Sequence, residues 1–332
     1  MAQQNTGDTP LPSNQILLGG QAVIEGVMMR GPERIALAVR RADGTITVRT
    51  EGFVPLAMRK RIWAFPLLRG VSGFFEMMLV GIRMLNVSAS LAMQDLADDS
   101  SSPGSGRKEK AGTIIAVVIS LAFAVGLFFI IPLLVTTAMF QVSQDPLRFN
   151  LLAGLIRLAI FLAYLAAIAR IPDVKRLFMY HGAEHMTVFG YERMRQVSVE
   201  AARIQSRFHP RCGTSFLLIV VVASIVLFAV ADSIVIASVG VITVPLRLLW
   251  HLLLLPLVAG ASYEVIRFSA KYSRFWVGRL ITLPGLWLQR LTTRPPTEDQ
   301  LEVAVAALDA ALDVRGEDLN GQSAATSELK YA

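Results

Sequence analysis

Residues 215–239 read SFLLIVVVASIVLFAVADSIVIASV, an unbroken apolar run whose single charged side chain is Asp232. A helical crossing of membrane hydrocarbon needs roughly 20 such residues, so this stretch decides the fold class. Outward from it, 111–140, 150–169 and about 241–262 meet the same requirement, and Pro132 is placed to kink the first of these runs. Composition agrees. Of 332 residues, 54% are hydrophobic and only 17% charged, below the roughly one quarter usual for soluble domains. The expected architecture is an α-helical integral membrane protein with about four transmembrane helices and a small α+β cytoplasmic domain.

Charges around the spans orient them. The connection 141–150 holds one basic residue, Arg148, whereas 170–213 holds Arg170, Lys175, Arg176, Arg193, Arg195, Arg203, Arg207 and Arg211. Lys and Arg collect on the cytoplasmic side, which predicts a multipass protein of the cell inner membrane with this loop and both termini in the cytoplasm. The net charge of +7 then belongs beside anionic lipid rather than nucleic acid. Membrane lipids are the expected partners, nucleic acid is not, and association into a homo-oligomer is compatible with the chain. A single cysteine, Cys212, excludes an internal disulfide. The polar N-terminus does not read as a signal peptide, so insertion is expected to rely on internal segments.

The chain divides into a disordered tail at 1–15, a strand hairpin with interfacial amphipathic helices over 16–97, and a polar linker at 98–110. Spans at 111–169 and 215–266 flank a motif loop at 170–214. A helical segment at 267–315 and a disordered tail at 316–332 follow. Within the first part, 35–39 and 45–49 flank Ala42-Asp43-Gly44, and Asp-Gly tolerates the positive φ of a tight hairpin turn. The glycine-rich run Gly19–Pro32 suits a packed strand, a close turn or a ligand-cradling loop, but lacks the lysine of a phosphate-binding P-loop. Arg69, Glu76 and Arg83 recur every seven residues, so 61–96 reads as interfacial rather than spanning. Thr297 and Gln300 form a capping box ahead of an amphipathic helix through Leu301, Val305, Leu308 and Leu312.

The basic loop carries His181, Glu184 and His185 in an H-x-x-E-H arrangement. On a helix starting from an Asp173 N-cap, positions four apart share a face, so both imidazoles can hold one ion beside Glu184. A hydrolytic zinc site uses three protein ligands and one position for water; Glu184 is then the base. For the third ligand, Glu264, His209 and Cys212 are candidates, with Glu25 behind them. The competing readings are an interfacial helix with solvated histidines, a Glu264 ion pair with Arg267, and a packed Cys212. Cys212 is also a candidate nucleophile beside His209. Gly182 suits either space beside the metal or close packing of another backbone. Inside the spans, Arg157, Asp232 and Arg247 lie at matched depth, which predicts one Arg–Asp–Arg cluster fixing helix packing; His251 and an ion or proton path are the rival.

Gly19–Pro32, Tyr180-His-Gly-Ala-Glu-His185, His209-Pro-Arg-Cys-Gly-Thr-Ser-Phe216 and Gly285-Leu-Trp-Leu-Gln289 together resemble the YqhQ-like family of uncharacterised bacterial multipass membrane proteins. The similarity runs from about Leu17 to Leu312. Some members are labelled predicted metal-dependent enzymes, a label that leans on the same histidines; members commonly carry Lys where this chain has Met186. The expected function is a metal-dependent hydrolase at the cytoplasmic membrane face, with a divalent cofactor of the zinc type and a lipid headgroup or membrane-proximal peptide as substrate. The alternatives are a non-catalytic membrane scaffold or assembly factor and, further off, a transporter.

Overall fold

The computed structural model describes residues 18–96, 106–272, 275–312 and 328–331. The expected tail at 1–15, the linker through 105 and residues 316–327 lie outside the described residues. Strands β1 (Gly19–Val23), β2 (Gly26–Arg30), β3 (Arg34–Arg40) and β4 (Ile46–Gly52) form an antiparallel meander, and β5 (Glu328–Tyr331) adds to the edge of β4. The last strand corrects the expectation of a disordered terminus: its backbone pairs with the open N–H and C=O groups of β4. The Asp-Gly turn forms as expected. Gly44 has φ 86, and Asp43 Oδ1 accepts from Thr45 N at 2.9 Å.

The helices are α1 (Leu56–Arg59), α2 (Leu68–Leu96), α3 (Gly106–Val125), α4 (Ile131–Met139), α5 (Pro146–Ile168), α6 (Pro172–Met194), α7 (Val199–Arg203), α8 (Gly213–Val239), α9 (Val244–Leu253), α10 (Leu255–Lys271), α11 (Trp276–Thr292) and α12 (Glu298–Leu312). Helix α3 begins inside the expected linker. The sheet is covered on both faces. Val27, Met29, Ala36, Ala38 and Val48 pack on α6 and on the alanine-rich α12, while Val23, Met28, Ile35, Leu37 and Val39 pack on Val80, Met84 and Leu91 of α2. Two-sided burial is why 35–39 reads as a continuous apolar run rather than an alternating one. Thr297 N donates to Gln300 Oε1 at 3.0 Å, as the capping box predicts.

Among the described residues, four helical stretches are long and apolar enough to cross a membrane: Leu68–Asp95, Ile115–Met139, Pro146–Ile168 and Gly213–Val239. The first of these, in α2, belongs to the segment that the sequence reads as interfacial. Beyond its first turns, one face of α2 is buried on the sheet, and Arg83 and Asp95 pair with Glu51 and Arg41. Phe74, Phe75, Leu79 and Ile82 of α2 are nevertheless exposed. The fourth expected span is broken instead: α9 and α10 meet at 50°. Pro256 has no N–H to offer and its ring clashes with the preceding turn.

Inside the bundle the expected Arg–Asp–Arg cluster is half right. Asp232 accepts from Arg247 Nε and Asn150 Nδ2, both at 2.7 Å, and meets His251 Nε2 at 3.1 Å. Arg157 joins a different group. Its Nε donates to the Phe128 carbonyl at 2.8 Å and its Nη1 to Ser224 Oγ at 2.9 Å. Phe128 lies four residues before Pro132, so its carbonyl has lost its normal helical donor. The chain there widens into a π-turn, Gly126–Ile130, and Arg157 supplies the missing hydrogen bond. Because Asn150 at the start of α5 meets Asp232 near the end of α8, the two helices run antiparallel.

Candidate metal centre

Helix α6 begins at Pro172, with Ile171 rather than Asp173 at its N-cap; Asp173 sits in the first turn without a side-chain cap bond. Proline at this position needs no helical partner, which sets the start. The helix lies so close to the chain after α11 that a Cβ on Gly182 would meet the Arg294 carbonyl oxygen at 2.2 Å. Close packing is therefore the reason for this glycine. Arg294 N in turn donates to Phe178 O at 2.8 Å.

That contact brings the end of α11 onto the histidine face. His181 Nδ1 lies 2.8 Å from Thr292 O, and His185 Nδ1 lies 2.5 Å from Arg207 O. A carbonyl only accepts, so each Nδ1 carries the proton and each Nε2 presents a lone pair. Metal-binding histidines are oriented by this kind of outer hydrogen bond. The third donor is Cys212, the N-cap residue of α8, whose Sγ is 3.2 Å from His181 Nε2. Thr214 N and Oγ1 approach the same sulfur at 3.4 and 3.1 Å.

His181, His185 and Cys212 each offer one ligand atom, and these atoms lie within 4.8 Å of one another. A tetrahedral zinc, about 2.0 Å from nitrogen and about 2.3 Å from sulfur, holds such donors roughly 3.3–3.6 Å apart, so a set gathered within 4.8 Å, with one pair at 3.2 Å, is a candidate for a small divalent ion. Two imidazole nitrogens and one sulfur also match that ion's preference for nitrogen and sulfur. His181 is 13% exposed while His185 and Cys212 are buried, so the group is shielded but reachable along one side.

Glu184 shares the helix and is buried, with Oε2 3.9 Å from His181 Nε2. Burial pushes its carboxyl above the usual range, opposed by His181, His209 and the backbone N–H of Gly20. A Cβ on Gly20 would meet Glu184 Cγ at 2.7 Å. The glycine-rich run is therefore a β-hairpin, and its first strand lies directly on the motif helix.

The other candidates are not among the three converging donors, although the His209 ring centroid lies 5.6 Å from that of His185. Glu264 is held by Arg69, whose Nε donates at 2.7 Å, and not by the expected Arg267; this pairing turns it away from the ligand role. Glu25, in the left-handed region at φ 53, pairs with Arg176 and accepts from Tyr180 OH at 3.2 Å, tying the β1–β2 turn to α6. His209 packs against Phe189, with ring centroids 4.4 Å apart, and its Nε2 faces Glu192 at 3.4 Å. Burial lowers its pKa to about 4. Gln289 clamps the His209 backbone, accepting from N and donating to O at 2.7 Å each. Thus His209 and Gln289 shape the loop that delivers Cys212. Gln289 and the Thr292 and Arg207 carbonyls were not among the sequence candidates; only the Gly285–Gln289 string hinted at the first.

The profile of a family described as protein of unknown function, DUF1385, matches residues 65–314. The chain belongs to that family. It is 31% identical over 309 residues to the uncharacterized protein YqhQ of Bacillus subtilis (strain 168), covering 89% of this chain and 92% of that protein. No solved structure matches the chain. All three donors and Glu184 fall inside the family segment, whereas the β1–β4 strands precede it.

Proposed function

We propose that the protein is a metal-dependent hydrolase whose centre faces the cytoplasm at the inner membrane surface. One observation carries the reading: two imidazoles with anchored Nδ1 atoms and one thiol converge within 4.8 Å, with a buried carboxylate on the next turn-face. His181, His185 and Cys212 would hold the ion, which supplies Lewis acidity and an acidified water. Glu184 would accept a proton at its carboxylate and return it to the leaving group. The Thr292 and Arg207 carbonyls fix the ring tautomers, and the aromatic and aliphatic packing around α6 keeps bulk water from the donors. A membrane-proximal substrate is consistent with Cys212 capping a candidate span. The basic 170–213 loop supports the cytoplasmic side.

Metal analysis of purified full-length protein tests this directly. One equivalent of a divalent ion, lost in His181→Ala/His185→Ala and in Cys212→Ser, is expected. Stoichiometric metal that survives both changes would reject the site. The low exposure of the donors supports a second reading, a structural metal in a non-catalytic membrane scaffold. Glu184→Gln separates the two: it should keep the metal in both, but abolish cellular function only if the protein is a hydrolase.

A further inference from the structure

An open cavity of about 560 Å³ lies between the 203–208 segment and the start of α12, a volume within the range of small-ligand sites. Arg203 and Arg207 line it together with Gln205, Ser206 and the apolar wall of Pro296 and Leu301. Many of the arginines are held by carboxylates, whereas Arg207, among the described residues, is not. Arg40, Arg41, Arg69, Arg83, Arg176 and Arg211 each pair with a carboxylate. Arg207 pairs with none among the described residues, its Nε is buried without a hydrogen-bond partner, and its guanidinium lies 4.6 Å from the Phe208 ring centroid. An aromatic ring beside a guanidinium presents the planar fork that suits a phosphate oxygen pair.

Arg203 is already paired, with Glu298, but both side chains are more than half exposed (56% and 62%). An ion pair of that kind contributes little and opens readily for a stronger anion. Arg193 approaches the same segment by donating to Gln205 Oε1 at 3.1 Å. The cavity thus offers two guanidiniums and a hydroxyl against one displaceable carboxylate, the Gln205 amide being already bonded to Arg193 and the Ala201 carbonyl.

We propose that this cavity binds the phosphate group of a phosphoester, Arg207 providing the principal contact and Arg203 the second after releasing Glu298. The site goes beyond the hydrolase reading and does not depend on a bound metal. It adjoins the metal centre through a single residue, because the Arg207 carbonyl orients His185. A lipid headgroup and a soluble phosphate ester share this chemistry.

The test is calorimetric titration of inorganic phosphate into detergent-solubilised full-length protein, before and after chelation. Saturable binding should persist after chelation and weaken at least about tenfold in Arg207→Gln. Binding should weaken less in Arg203→Gln and tighten in Glu298→Gln, a gain that a general loss of structure does not produce. Circular dichroism on Arg207→Gln checks that the variant is folded, and Arg207→Lys should recover part of the affinity. Absence of saturable binding, or equal affinity in Arg207→Gln, overturns the proposal. So does binding abolished by chelation and by His181→Ala alike, which would assign phosphate to the metal itself and leave the hydrolase reading intact. Phosphate binding with no metal in the protein has the opposite meaning: it keeps the cavity and removes the metal centre. Displacement of phosphate by short-chain phosphatidic acid far better than by glycerol phosphate identifies a lipid headgroup; equal displacement identifies a soluble ester.

Discussion

Helix α8 carries a histidine-bearing polar cluster near each end, and the two are built on opposite principles. At its N-terminus, Cys212 meets His181 and His185, with lone pairs directed toward one another and no cation among them. Near its C-terminus, some 20 residues and about 30 Å further along the axis, Asp232 accepts from Arg247 and Asn150 and meets His251. The second cluster is already neutralised by its own members, and Arg247 also donates to Ser143 O at 2.8 Å. The first gathers donors that attract one another only through a shared ion or proton. The first cluster is a candidate binding site; the second is a fastening.

The largest expected contrast concerns metal. Cys212→Ser/His185→Ala should reduce bound metal from one equivalent to none, whereas Asp232→Asn should leave it unchanged, as read by elemental analysis of purified protein. Equal loss in both would erase the distinction between the clusters. Next in size is the fastening. Asp232→Leu leaves Arg247 buried and unpaired, a change that typically costs about 3–5 kcal/mol, while Asp232→Leu/Arg247→Leu should recover most of it. Thermal unfolding in detergent measures both, and a double mutant no better than the single one would show that the pair is not what holds α8 to α9.

A smaller effect is expected at the seam beneath the metal centre. Gly182→Ala drives a methyl group into the Arg294 carbonyl, which overpacking experience places at about 1–3 kcal/mol. Since Thr292 precedes that carbonyl by two residues and orients His181, metal affinity should fall together with the melting temperature. A fall in melting temperature alone would uncouple the seam from the site. A change of the same order belongs to the proline repair. Arg157→Leu should destabilise by roughly 1–3 kcal/mol, and by less in a Pro132→Ala background, where residue 132 regains an N–H for Phe128. Additive losses in that double-mutant cycle would count against the repair.

What was legible in the chain follows from the range of the interactions involved. Apolar runs are read locally because hydrocarbon demands apolarity residue by residue, so three expected spans coincide with long apolar helices. The fourth also lay in the sequence, but its break needed Pro256 to be weighed against the continuity of the run. The Asp43-Gly44 hairpin and the Thr297–Gln300 cap are likewise short-range. His181, Glu184 and His185 are four residues apart or fewer, so helical geometry alone places them on one face.

The third donor was not readable in this way. Glu264, His209 and Cys212 are equally plausible by residue chemistry, and their separation in sequence carries no distance. Tertiary pairing sorts them: Arg69 occupies Glu264, Glu192 and Phe189 occupy His209, and the Gln289 clamp on the preceding loop delivers Cys212 to the N-terminus of α8. The glycine-rich run shows the same limit, since nothing local reveals that Gly20 rests on Glu184.

The amino-acid order alone thus determined the apolar helices, the tight turns and a two-imidazole face, because each depends on neighbours within one or two turns of backbone. Packing between distant segments decided which sulfur, carbonyls and carboxylate surround those imidazoles. In the folded chain, ion pairs and packing elsewhere claim the competing side chains, and no periodicity along the chain encodes that competition.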